Sequence, residues 1–321
     1  GCERNKLTEL DVSDFPNLRS LDCSDNQISD LDITACTALE SLDCSSNRLT
    51  ELDVSDNPKL VSLNCEIGWS GDPARQLSEL DISHNPALTH LDCSGHLISS
   101  LDLSNQTLLE ELDCNSNQLT SLDASPSSRL KTLHCGENQI SDLDVSRCTL
   151  LNLLHCYSNL LSHLDVSSCK LMQELHCSEN QLSGLDLTEN AGLTYLDCYS
   201  NQLSTLNLSD NYVLSELSCS GNQLSSLDLS GSPFLTSLSC FNNDLSSLDI
   251  SSCYALQYLN CRANQLTSLD ISNNPVLDNI NLSEMLTLET VCVWTMPFPP
   301  EKVSLNLYQS PNASFTTDCS R

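Results

Sequence analysis

The sequence predicts a β-rich repeat solenoid of about 14 coils, with two narrow parallel sheets and weak curvature. Cysteines recur every 21 residues through most of the 321-residue chain, and a fixed period of this length is typical of stacked coils. Each period also contains two triplets in which apolar residues flank a polar one, the alternation of a short strand with one buried face.

The cysteine spacing defines the repeat. Every interval is 21 residues except the one after Cys65, which is 28, so a seven-residue insertion lies within residues 66–76. Each period reads LxxLxCxxNxL followed by xxLDLSxNxxL, which divides it into halves of about 10 and 11 residues. The in-phase cysteines, called the ladder cysteines below, are Cys2, Cys23, Cys44, Cys65, Cys93, Cys114, Cys135, Cys156, Cys177, Cys198, Cys219, Cys240 and Cys261.

This pattern resembles the bacterial leucine-rich-repeat proteins, in particular the subclass with nested units of 10 and 11 residues, sometimes called the IRREKO type. The resemblance extends from residue 2 to about residue 293. It implies a right-handed parallel coil and a role in protein recognition rather than catalysis. Because the two halves are nearly equal in length, we expect weak curvature.

The pattern also predicts the domain limits. Residues 1–293 are expected to form the solenoid, which begins in mid-repeat because Cys2 and Asn5 already fit the second part of a strand and its corner. An N-terminal cap is therefore expected to be absent. Residues 294–321 abandon the repeat, and we expect them to form a C-terminal cap.

Composition excludes several functions. The chain has 13 basic and 43 acidic side chains, a formal net charge of -30. It lacks the Lys/Arg clusters that hold nucleic-acid phosphates, so no nucleic-acid partner is expected. No apolar run could span a bilayer, so this segment is not expected to insert into a membrane. No phosphate-binding or metalloprotease motif occurs, so we expect neither an enzyme nor a cofactor.

Two inward columns have structural explanations. The ladder cysteines occupy an apolar position, which favours buried free thiols over a metal or redox role. An asparagine column at the corner after each cysteine is expected to satisfy backbone groups as the chain leaves the sheet. Beside the insertion His96 and Gly68 replace asparagine, which predicts a local break in that column.

Two outward columns raise the question of metal binding. An aspartate row on the second half of each coil indicates either a solvated face or a stripe for Ca²⁺ or other polyvalent cations. On the cysteine strands, His134, His155 and His176 follow one another in register. They are either ligands for Zn²⁺ or Ni²⁺ or three solvated imidazoles.

The cysteine strands also collect aromatic residues, although these make up only 4% of the chain. Tyrosine and arginine are favoured anchors at protein interfaces, so we predict binding of a protein partner here. Trp69, in the insertion, is a further candidate. The predicted contacts on the sheet are Tyr157, Tyr195, Tyr199, Phe241, Tyr258 and Arg262.

Three functional interpretations remain open. The first is a recognition scaffold on an exported bacterial surface protein, in keeping with the resemblance and the acidic, Ser/Thr-rich surface. The second is a carbohydrate-binding module in which the tyrosines stack on sugar rings. The third is a structural spacer or stalk.

Cys292 and Cys319 are the only cysteines outside the ladder and a second inward column of Asn and Cys. We predict that they form a disulfide that ties down the C-terminal cap.

Overall fold

The computed structural model describes residues 1–68 and 76–319. Within these residues the chain is a parallel-strand β-solenoid of about 14 coils, built from nineteen three-residue strands with no helix. The described part therefore contains no helix able to cross a membrane. The chain divides into two compact units, residues 1–161 and 162–321.

The first unit contains a main sheet in the order β1-β2-β3-β4-β5-β7-β9 and a two-stranded sheet of β6 and β8. Its strands are β1 (Ser20–Asp22), β2 (Ser41–Asp43), β3 (Ser62–Asn64), β4 (His90–Asp92), β5 (Glu111–Asp113), β6 (Ser121–Asp123), β7 (Thr132–His134), β8 (Asp142–Asp144) and β9 (Leu153–His155).

The second unit contains a main sheet in the order β10-β11-β12-β13-β14-β16-β18 and a three-stranded sheet of β15, β17 and β19. Its strands are β10 (Glu174–His176), β11 (Tyr195–Asp197), β12 (Glu216–Ser218), β13 (Ser237–Ser239), β14 (Tyr258–Asn260), β15 (Ser268–Asp270), β16 (Asn279–Asn281), β17 (Thr290–Cys292), β18 (Ser304–Asn306) and β19 (Ser314–Thr316).

Strict register builds the core. The central leucines of neighbouring main-sheet strands face one another, as Leu196 faces Leu217 and Leu217 faces Leu238. All three side chains are buried. Each coil thus adds the same leucines to one continuous apolar stack, which explains why a 21-residue period is sufficient without a helix.

The ladder thiols lie immediately after these strands and are thiols rather than disulfides. All are buried except Cys2, which is half-exposed. Burial raises the pKa of Cys156 and of Cys219 to about 12. The thiols are therefore neutral packing groups, as predicted.

The asparagine column satisfies the corner backbone as predicted. The amide nitrogen of Asn201 donates to the carbonyls of Cys177 in the preceding coil and Cys198 in its own, at 3.0 and 3.1 Å. Its Oδ1 accepts from the backbone nitrogen of Leu182 at 2.9 Å. The same pattern recurs after most ladder cysteines, so these asparagines link neighbouring coils.

The expected break in this column occurs at Gly68, which has no side chain to make these bonds, but not at His96. Its Nδ1 accepts from the backbone nitrogen of Leu77 at 3.1 Å, and its Nε2 lies 2.8 Å from the carbonyl of Cys65. A neutral imidazole with one acceptor and one donor nitrogen therefore replaces the asparagine amide. Burial lowers the pKa of His96, which favours this neutral form.

A second inward column explains why Asn and Cys interchange there. Asn57 donates to the carbonyls of Ile33 and Cys36 at 3.1 and 2.9 Å. Cys36 Sγ lies 3.6 Å from the carbonyl of Val12, one coil earlier. Both side chains are buried donors to the preceding coil, so either residue can fill the position.

The second sheet is shorter than predicted. In the described residues, strand pairing on the aspartate side is confined to β6 and β8 in the first unit and β15, β17 and β19 in the second. Elsewhere the aspartate triplets lead at once into turns that their own carboxylates cap. Asp11, for example, accepts from both the backbone nitrogen and the hydroxyl of Ser13, at 3.0 and 2.7 Å.

The tail does not abandon the coil. Within residues 294–321, β18 pairs in register with β16, and β19 pairs with β17. Two strands therefore extend both sheets of the second unit, although the sequence here has lost the cysteine and asparagine markers. A capping role for this segment remains a prediction.

Candidate binding surface

The outward residues of the main-sheet strands form the surface that the sequence selects, here called the Cys-strand face. In β11 the central leucine is buried, so Tyr195 and Asp197 point outward. One further outward position follows each ladder cysteine, and Tyr199 occupies it after Cys198. Since parallel strands are spaced about 4.8 Å apart, side chains from neighbouring coils stand next to one another.

Three predicted contact residues of the second unit form one cluster. The rings of Tyr199 and Phe241, two coils apart, approach to 6.0 Å between centroids. The guanidinium carbon of Arg262 lies 5.7 Å from the centre of the Phe241 ring, and its Nε is 3.3 Å from a carboxylate oxygen of Glu284. Ser220, on the coil between the two rings, is fully buried. We call Tyr199, Phe241 and Arg262 the aromatic cluster.

Tyr195 and Tyr258 stand on the same face of the second unit and are half-buried. The ring of Tyr195 stacks on that of His176 with centroids 4.4 Å apart and planes 18° from parallel. Burial raises the pKa of Tyr195, with a smaller contribution from Asp197. The phenol is therefore neutral and presents an uncharged, flat surface.

Tyr157 belongs to the first unit and has a different environment. Its ring lies over Gly136, where an added Cβ would come within 2.8 Å of the ring carbons. The ring centroid is 6.2 Å from that of His155. Burial raises the pKa of Tyr157, with a smaller effect from Glu137. The absence of a side chain at Gly136 therefore leaves the space that the Tyr157 ring occupies.

The three histidines considered as metal ligands are all half-buried. Nδ1 of His134 lies 2.8 Å from Nδ1 of His155, so one ring nitrogen donates to the other. In the second unit His176 is stacked on Tyr195. A metal role for this set stays a prediction.

Cys292 and Cys319 are joined through their sulfurs, with Cα atoms 5.6 Å apart. Cys292 is buried on β17 and Cys319 is exposed. Asp270 is their neighbour, and its carboxylate and the two sulfurs lie within 4.8 Å of one another. Because sulfurs in a disulfide do not act as thiolate ligands, metal binding here would require reduction.

The aspartate side offers one chemistry at most coils. Asp186 accepts from the backbone nitrogen and hydroxyl of Thr188 at 3.0 and 2.8 Å. These hydrogen bonds lower its pKa and keep it charged. Asp165 and Asp228 are held in the same way by Ser167 and Ser230, their pKa values lowered likewise. In each of these turns one carboxylate oxygen, Oδ1, accepts hydrogen bonds from within the turn. This favours a solvated face over a stripe of cation sites.

Sequence reasoning missed a second exposed row. In five consecutive coils of the second unit a large apolar side chain projects from the same two-residue turn, with exposed fractions of 55, 61, 65, 50 and 70%. The available signal was positional, because in most other coils this turn carries no large apolar residue, the exceptions being Leu108, Leu150 and Leu171. The members, called the turn row, are Tyr212, Phe234, Tyr254, Val276 and Leu286.

Trp69 lies outside the described residues. Its predicted role as a contact therefore remains a prediction.

Comparison with known proteins gives the class. A family model described as leucine-rich repeats in two copies matches residues 16–59. No curated protein matches the chain.

Among solved structures, the functional domain of InlJ from Listeria monocytogenes, which includes a cysteine ladder, is 33% identical with a TM-score of 0.77 and covers 87% of this chain and 68% of its own. The Leptospira interrogans leucine-rich-repeat protein LIC12759 is 25% identical with a TM-score of 0.69, over 85% of this chain and 80% of that one. The plant peptide hormone receptor RGFR1 in complex with RGF2 shares the fold at 18% identity and a TM-score of 0.64, over 95% of this chain and 64% of that one.

These similarities and the leucine-lined coils define a leucine-rich-repeat solenoid. The chain belongs to the leucine-rich-repeat proteins, given its 33% identity to the InlJ domain over most of both chains. Proteins of this family generally mediate protein recognition, and homologues of this fold are typically non-enzymatic binding scaffolds.

Proposed function

We propose that this chain is a non-catalytic recognition scaffold that binds a protein partner through the Cys-strand face of its second unit. The observation that carries the proposal is the aromatic cluster. Its two rings and one guanidinium group are fixed against one another while remaining partly exposed. Aromatic and arginine side chains are the groups that most often dominate binding energy at protein interfaces.

The side chains of the aromatic cluster are already packed against one another before a partner binds, which lowers the cost of binding. Immobilising a flexible side chain on binding costs about 0.5–1.5 kcal/mol. Tyr199 and Phe241 already restrict one another, and Arg262 is restrained by both the ring and Glu284. A partner that contacts this cluster loses less of its binding energy to side-chain ordering.

Sequence variation along the face also favours it. After the ladder cysteines of the second unit, buried serines alternate with half-buried residues of larger and different kinds, whereas the aspartate side largely repeats one chemistry. A partner can be positioned only where coils differ, so specificity is expected on the variable face. The successive residues are Ser178, Tyr199, Ser220, Phe241 and Arg262.

The chemistry of the coils supports a non-catalytic role. The ladder thiols would be the most nucleophilic groups if ionised, but burial raises the pKa of Cys219 to about 12 and raises the pKa of Cys240 well above its usual value. The serine and aspartate residues are repeated along the surface, where each aspartate caps its own turn. Such groups hold the coils in shape.

We further propose an exported location on a bacterial surface. The Listeria and Leptospira relatives are bacterial proteins. A Cys292–Cys319 disulfide suits an oxidising compartment.

Carbohydrate binding is the second candidate, and the stacked pair of His176 and Tyr195 is the observation that favours it. Their nearly parallel rings provide a flat surface for a sugar. A glycan array beside a pull-down from host and bacterial extracts distinguishes the two candidates. Binding to glycans but to no protein would replace the first proposal.

The decisive variant carries Tyr199→Ser together with Phe241→Ser. With the partner recovered by pull-down, the double variant should lose about 2 kcal/mol or more of binding free energy, roughly 30-fold in Kd. The matched control carries Asp165→Lys and Asp186→Lys on the aspartate side and should bind within a few-fold of the parent. Circular dichroism must show both variants folded. If the double variant binds normally and the control loses binding, the partner binds the aspartate side and the proposed face is wrong.

A further inference from the structure

The turn row is a set of large apolar side chains that the solenoid does not bury. Its members come from five consecutive coils, and each exposes half or more of its surface: Tyr212, Phe234, Tyr254, Val276 and Leu286. Tyr199 and Phe241, by contrast, are half-buried on the Cys-strand face.

One recurring turn places the row. The backbone nitrogen of Leu214 donates to the carbonyl of Asn211 at 3.0 Å, so Tyr212 is the first central residue of a hydrogen-bonded turn. The turn closed by Leu256 and Cys253, at 3.1 Å, holds Tyr254 in the same position.

Phe234 and Val276 occupy the second central position of the equivalent turns. Those turns are closed by Leu235 onto Ser232 and by Leu277 onto Asn274 at 3.3 and 3.1 Å. Central turn residues project away from the coil, and the buried residues at both ends fix their direction. The row is therefore presented by a rigid backbone.

The size of the row limits what can cover it. Coils stacked at about 4.8 Å place the five side chains along roughly 19 Å. An extended peptide rises about 3.3 Å per residue, so about six residues reach from one end to the other. Isolated apolar residues are common on protein surfaces, but an uninterrupted row of this kind marks an interaction site.

The charged groups around the turn row determine which kind of partner can bind there. Between residues 171 and 301 the only lysine or arginine is Arg262, and it is paired with Glu284. Carboxylates flank the row, since Asp210 precedes Tyr212 and Asp278 follows Val276, and both are exposed. Acidic or phosphate-bearing partners are repelled, whereas lysine and arginine are attracted to the carboxylates and to the faces of exposed aromatic rings.

We propose that the turn row is a docking surface for a short polypeptide segment that combines lysine or arginine with apolar side chains. The apolar side chains cover the row, and the cationic ones meet the flanking carboxylates. This surface consists of different residues from the aromatic cluster, so it can act whether or not the Cys-strand face is the principal interface.

The test uses the full chain and a fluorescein-labelled nonapeptide of alternating lysine and leucine, followed by anisotropy at physiological salt. We expect saturable binding that weakens at least tenfold when Tyr212→Ser, Phe234→Ser and Tyr254→Ser are combined. The matched control carries Phe15→Ser and Tyr308→Ser, which remove exposed rings outside the row. This control should bind within twofold of the parent.

Three outcomes overturn the proposal. Equal binding of a peptide in which glutamate replaces lysine would remove the charge argument. A triple variant that binds like the parent while added salt abolishes binding would indicate general electrostatic adsorption. Loss of binding in the Tyr199→Ser and Phe241→Ser variant, with the triple variant unaffected, would place the peptide on the Cys-strand face.

Discussion

Replacing Asn201 by alanine tests whether the asparagine column holds neighbouring coils together. Asn201 Nδ2 donates to the carbonyls of Cys177, Cys198 and Tyr199 at 3.0, 3.1 and 3.3 Å, and its Oδ1 accepts from the nitrogen of Leu182 at 2.9 Å. Asn201 is buried. Alanine removes all four hydrogen bonds without changing the apolar stack.

The four bonds are not equally important. The carbonyl of Cys177 keeps a donor in Asn180 at 3.2 Å, and that of Cys198 keeps one in Asn222 at 3.0 Å. The Leu182 amide loses the acceptor that Asn201 supplies. A buried donor left without a partner costs about 1–3 kcal/mol, and three carbonyls also lose Asn201 as a donor. We therefore expect the free energy of unfolding to fall by about 3 kcal/mol.

The assay is urea denaturation together with hydrogen exchange resolved to the peptide that contains Leu182. Because solenoid coils need not unfold together, the local exchange rate is the better measure of the two. The control is Gln202→Ala, which changes the exposed neighbour and leaves its backbone bond to Leu182 intact. If Asn201→Ala changes the urea midpoint and the hydrogen-exchange rate no more than this control does, the asparagine column does not hold neighbouring coils together.

Three other predictions test buried or linked groups. Burial holds the pKa of Cys156 and Cys219 near 12, against 9.0 for a free thiol, so the unfolded state releases protons first. Stability should therefore fall as the pH rises from 9 toward 12, and unchanged urea midpoints over that range would show that the thiols are not buried. Non-reducing peptide mapping should recover Cys292 linked to Cys319, and finding both free would also weaken the case for an exported protein. The pKa of His96 is lowered by burial from 6.5, so stability should decline as the pH falls below about that value. His96→Asn should abolish this acid sensitivity, and its persistence would implicate other groups.

The repeat was readable from sequence because each buried column is almost invariant from coil to coil. Leucine, cysteine and asparagine at fixed intervals specify the strand, the core and the corner respectively, and the structure confirms those assignments. His96 was misjudged because a one-letter pattern does not show that two ring nitrogens can take over the roles of an amide.

The C-terminal coil was missed for a related reason. Strands β18 and β19 keep only the alternation of Leu305 and Phe315 with polar neighbours, a weak signal once the markers are lost. On the surface, sequence placed Tyr199 and Phe241 on one face but could not show that their rings meet over Ser220. The turn row went unnoticed because its members alternate between two positions of the turn.

The most direct test of the central claim is site-specific photo-crosslinking to the purified partner. A photoreactive amino acid is placed at Tyr199 on the Cys-strand face in one sample and at Asp186 on the aspartate side in another. We expect a crosslink from Tyr199 that disappears when excess unlabelled chain competes for the partner, and none from Asp186. A specific crosslink from Asp186 with none from Tyr199 would contradict the assignment of the binding face.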